Sequence, residues 1–74
     1  MNIRAWTMVL LGKLREASLP NTAAPEGFRM VHFVKVFEKL GRPLEEMFER
    51  MQELHDAGYY KNVDHVYGYI KMED

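Results

Sequence analysis

Leu40-Gly41-Arg42-Pro43-Leu44-Glu45-Glu46-Met47, continued through Met51 and Leu54 to Ala57-Gly58-Tyr59-Tyr60, contains two stops and one start. Gly41 ends a preceding helix, as a residue free to adopt a left-handed conformation commonly does. Pro43 suits the first turn of the next helix, where its missing N–H costs nothing, and Glu45 and Glu46 follow where the helix dipole favours negative charge. A third helix is therefore predicted over 43–57, with Leu44, Met47, Met51 and Leu54 as its core stripe, Phe48 at the margin and Gly58 as its stop.

Beyond Gly58 the period changes. Tyr59-Tyr60-Lys61 and Val66-Tyr67-Gly68-Tyr69-Ile70-Lys71-Met72 are rich in aromatic and β-branched residues, and Asn62-Val63-Asp64-His65 supplies turn chemistry. This predicts a two-stranded hairpin over 59–72 with Val66, Ile70 and Met72 turned toward the helices, since an isolated ribbon is not stable. In the other direction, Met30, Phe33, Val36, Phe37 and Leu40 form one face of a second helix over 30–40. Residues 18–27 are turn formers without periodicity, a loop that either hides a short strand or carries contacts of its own. A first helix is predicted over 2–17 with Ile3, Trp6, Leu10, Leu14 and Ala17 as its stripe, placing Met8 and Leu11 nearly opposite as a second apolar patch. The expected class is α+β, a single domain over 1–74.

Hydrophobic residues make up 47% and charged residues 28% of the 74, which is the balance of a folded domain and not of a disordered charged tail. The chain has no cysteine, which excludes disulfides, a thiolate nucleophile and cysteine-based zinc, and agrees with a cytoplasmic location. The longest apolar run, Met8 to Leu11, falls far short of the roughly 20 residues that span a bilayer, so no membrane role is expected. HExxH, Walker, GxSxG and GxGxxG spacings are all missing, and His32, His55 and His65 fall on three different elements. His55, one turn from Met51, reads as a core-margin residue. Neither an enzyme, a metal site nor a cofactor is expected.

The net charge of −1 conceals an asymmetry. Residues 1–42 carry seven bases against three acids, and residues 43–74 carry three bases against eight acids. Such a division bears on partners and association.

From Leu40 to Met72 the chain resembles the winged helix-turn-helix superfamily, in the form of a small single-domain member. The resemblance rests on the Leu40-Gly41 turn, on Met47, Met51 and Leu54 spaced four and three, and on Ala57-Gly58-Tyr59-Tyr60 leading into the hairpin. It implies a three-helix winged helix-turn-helix domain with a C-terminal two-stranded wing, and a regulatory, DNA-binding or transcription-related role. The third helix would then enter the major groove.

One expectation is binding of double-stranded DNA through Lys35, Lys39, Arg42, Arg50 and Lys61, with dimerisation supplying further affinity. It is opposed by the acidic third helix, because phosphate neutralisation dominates DNA affinity. The alternative is a protein-interaction module without DNA binding, using Glu45, Glu46, Phe48, Glu49 and Glu53 against a basic partner, with Met8 and Leu11 as a homodimer patch.

Overall fold

In β3 (Tyr67–Lys71), Gly68 and Ile70 are buried while Tyr67 is exposed, the period-two pattern of a strand with one face on a core. β3 pairs antiparallel with β2 (Tyr60–Asn62) on one side and with β1 (Phe28–His32) on the other. The turn between β2 and β3 is held by Asp64, whose carboxylate accepts from the backbone N–H groups of Val66 and Tyr67 at 2.9 and 2.8 Å. This computed structural model describes residues 4–74, with element order α1 (Ala5–Ala17), β1, α2 (Phe33–Lys39), α3 (Leu44–Asp56), β2 and β3. The α+β class is as expected, but the sheet has three strands in the order β1-β3-β2, not the two of a lone hairpin.

The extra strand shortens the second helix. Met30 lies on β1, opposite Tyr69, and the helix begins only at Phe33. His32 sets that start: its Nδ1 accepts from the backbone N–H of Lys35 at 3.0 Å, an N-cap made by imidazole. Leu40 closes α2 and Gly41 follows with φ of 68°, the left-handed stop that the sequence predicts. Residues 18–27 form no strand and carry contacts of their own. Leu19 and Met30 exchange backbone hydrogen bonds of 2.8 and 2.9 Å in a single bridge, and the Ser18 carbonyl accepts from the Arg29 guanidinium at 2.8 Å.

The core lies between the sheet and the three helices, built from Leu10, Leu14, Val31, Phe33, Phe37, Leu54 and Ile70 among others. Two helical stripes are rotated from their expected positions. On α1 the buried residues are Thr7, Leu10, Leu11 and Leu14, so Leu11 is core, 1% exposed, and not part of a surface patch. At about 100° per residue Leu11 stands only about 60° from Leu14, close enough to share its contact once the small Thr7 is admitted. Trp6 is half-buried and Ala17 exposed, and Ile3 lies outside the described residues. On α3 the buried residues are Met47, Arg50 and Leu54, and Leu44 is left 58% exposed.

Tyr60 fixes the sheet to the helices. Its ring meets Phe33 edge-on at 5.2 Å and covers Gly68 across the sheet, where an added Cβ would collide with the phenol. The hydroxyl is buried without a hydrogen-bond partner, and burial, helped by Asp64, pushes its pKa up to about 12. Tyr59 packs beneath Arg15 and Tyr67 against His32, so these tyrosines take separate partners and do not pack on one another.

Gly68→Ala is expected to cost about 1–3 kcal/mol in urea denaturation, because the methyl must displace a well-packed ring. Because the folded pKa of Tyr60 lies above its ordinary 10, the stability it contributes is complete below pH 10 and lost as pH rises through about 12. Denaturation series across that alkaline window should show Tyr60→Phe less sensitive than the wild type, and no less stable at neutral pH because an unpartnered buried hydroxyl is removed.

Candidate functional site

The N-terminus of α1 begins at Arg4 with neither a side-chain cap nor an acid in its first turn. A helix start leaves backbone N–H groups that need acceptors. Glu53 of α3 supplies one: its Oε1 accepts from the Arg4 backbone N–H at 2.9 Å, doing between two helices what the glutamate of a capping box does within one. The Arg4 guanidinium lies 3.6 Å from the same carboxylate and 3.5 Å from Glu49. Arg50 joins from below, with Nη2 3.4 Å from Glu53 and 3.5 Å from Glu49. The Glu53 side chain is only 13% exposed. Burial alone would raise its pKa, but the Arg4 N–H, the neighbouring Thr7 hydroxyl and the charges of Arg50 and Arg4 outweigh that and hold it below the ordinary carboxylate range.

This arrangement revises both sets of sequence-derived site residues. Arg50 is 2% exposed and faces inward, its charge compensated by Glu49 and Glu53, so it cannot reach a phosphate. The sequence pattern missed this because an arginine between Met47 and Leu54 reads as surface unless carboxylates are known to meet it. Arg42 is also engaged. It makes a bidentate pair with Glu46, at 2.6 and 3.1 Å, while its guanidinium lies 4.7 Å from the Trp6 ring centre. The hydrogen bond from Arg42 holds the Glu46 carboxyl below its ordinary range. Lys61 is exposed on β2 with its ammonium 5.5 Å from the Phe28 ring centre. Lys35 and Lys39 are exposed on α2 and make no ion pair among the described residues.

Of the acidic residues assigned to a partner face, Glu46, Glu49 and Glu53 therefore already have arginine partners inside the chain, and only Glu45 is exposed with none among the described residues. Asp56 accepts from Gln52 at 2.7 Å and adjoins His55, whose side chain is exposed and not at the core margin. Between these polar residues α3 also presents an apolar ridge to solvent. Phe48 is 66% exposed one turn from Leu44, and it borders a groove of about 270 Å³ lined also by Met51, Gln52, His55, Tyr60 and Asn62. Met8 is exposed as expected, but its apolar neighbour on the surface is Val9 rather than Leu11.

Sequence reasoning also missed the Arg4–Glu53 clamp and the His32 cap. A signal for the first existed: Arg4 precedes a helix that has no capping residue, so another element must satisfy that end. Among the described residues no three His, Asp or Glu side chains converge to hold a metal ion, and no helix is long and apolar enough to cross a membrane.

Removing Glu53 leaves buried Arg50 with only the solvent-exposed carboxylate of Glu49, so Glu53→Ala should cost about 3 kcal/mol, whereas Arg50→Met, which fills the same volume, should cost less than about 1.5. Asp64, accepting from Tyr67 and Val66, is likewise held below its ordinary value. With folded pKa values depressed, the stability from Glu53 and Asp64 is complete above their ordinary values of 4.5 and 3.8 and lost as pH falls through the lower folded values. Urea midpoints across the acid range should fall less steeply for Glu53→Gln than for the wild type. Comparison with protein-family models, curated proteins and solved structures returns no match for this chain.

Proposed function

We propose that the chain is a small winged-helix-type domain that works by binding, not by catalysis, and that it docks a protein partner on the outer face of α3. The order of α2, the Gly41 turn, α3 and the β2–β3 hairpin supports the winged-helix reading, and β1 adds a third strand to the expected wing.

The observation that carries the docking reading is the Leu44–Phe48 pair. Two large side chains four residues apart, 58% and 66% exposed, continue into the groove between α3 and β2. Exposed apolar surface with a polar rim is the composition of an interface centre, and Glu45, Glu49 and Gln52 provide the rim. Charge argues the same way. With Arg4, Arg42 and Arg50 counted against the five carboxylates of α3, the helix keeps an excess of two negative charges, which opposes approach to phosphate.

A second reading, duplex DNA binding in a regulatory role, is favoured by Lys35 and Lys39, which make no ion pair among the described residues, together with exposed Lys61. A homodimer through the α3 ridge is one form of the first reading. The experiment has two arms. Proteins captured from cell lysate by the wild type are purified and titrated against Leu44→Ser/Phe48→Ser, and a labelled mixed-sequence duplex is titrated against both at low and physiological salt. The expected result is loss of partner affinity by about 100-fold with Tm little changed, since both positions are exposed. Duplex binding that falls steeply with salt and is indifferent to the double substitution would instead assign the chain to DNA.

A further inference from the structure

We propose that the trough between α1 and α2 binds an acidic peptide segment with interleaved apolar side chains. Lys13 reaches it from α1, and Lys35 and Lys39, one turn apart, from α2. The opposing charge is Glu16, 3.9 Å from Lys13, and both of those side chains are more than half exposed, so the pair neutralises little. Lys35 and Lys39 are left without an anion among the described residues. A set of three ammonium groups around one concavity is a standing charge that an anionic partner would relieve.

The floor decides which anion. Val36, Leu40 and Ala17 lie beneath the lysines in a space of about 480 Å³. A neighbouring space of about 470 Å³ shares Ala17, His32 and Lys35 and extends over Leu19 and Met30 toward the outer edge of β1. Phosphate groups gain nothing from such a floor, whereas leucine-type side chains between carboxylates would bury against it while the carboxylates meet the lysine rim. The N-terminus of α2 offers no free anion site either, since the His32 imidazole already occupies it. Seven residues of α2 span about 10 Å, and with the stretch toward β1 the trough accommodates about five extended residues. Leu19 already bonds to Met30 on the open side of β1, so at that point the segment is held by side chains and not by strand addition.

This trough shares no lining residue with the α3 groove, so the two assignments fail independently. Three labelled probes discriminate: a short peptide alternating acidic residues with leucine, a polyglutamate peptide of equal charge, and a mixed-sequence duplex. Each is titrated by fluorescence anisotropy at physiological salt, and the binding surface is mapped by backbone amide shifts of the full chain. The alternating peptide should bind at least about tenfold more tightly than polyglutamate or duplex, shift the amides of Val36 and Leu40, and lose at least about tenfold in Lys35→Glu/Lys39→Glu. The milder Lys35→Gln/Lys39→Gln should show the same direction with unchanged Tm. Equal or tighter binding of polyglutamate or duplex, failure of all three probes to bind, or shifts clustered on α3 would overturn the proposal.

Discussion

The Glu53 carboxylate is the contact through which α1 and α3 are held in one geometry. It accepts the first free N–H of α1, faces the Arg4 guanidinium and lies against buried Arg50. Without it α1 would start with an uncapped end and buried Arg50 would keep only the exposed Glu49 as its counter-charge. These polar contacts fix the crossing of the two helices, and the Trp6–Arg42–Glu46 stack repeats the same device about two turns away on α3. The acidity of α3 serves the interior of the molecule before it serves any partner.

That distinction separates what was legible in the sequence from what was not. α3 and its boundaries were legible because Gly41, Pro43 and Gly58 act locally, and the hairpin turn because Asp64 bonds to amides two and three residues away. β1 was not. Phe28–His32 is a strand because β3, some forty residues further on, offers it a ladder, and nothing within the segment overrides the helical spacing of Met30, Phe33 and Phe37.

The site readings failed where a pairwise partner was needed to interpret a residue. Arg42 and Arg50 count as cations in any sum over the chain, yet both are spent on Glu46, Glu49 and Glu53. Leu11 and Leu44 exchanged places between surface and core because each helix turned to admit a polar residue, Thr7 on α1 and Arg50 on α3. Lys35, Lys39, Glu45 and Phe48 stand on the surface as their sequence positions imply.

The central position of β3 sets an order of assembly. Both outer strands depend on it, and it follows both of them in sequence, so neither ladder can form until β3 itself is available. Up to that point α1 and α3 can meet through the Arg4–Glu53 contact, but the apolar faces of Val31 and Tyr60 have no sheet to join. Closure of the β1–β3 ladder across the intervening helices carries a loop-entropy cost that a simple helical bundle avoids. The folding barrier should therefore be set by arrival of β3, and a chain still being synthesised would expose both waiting edges until it comes.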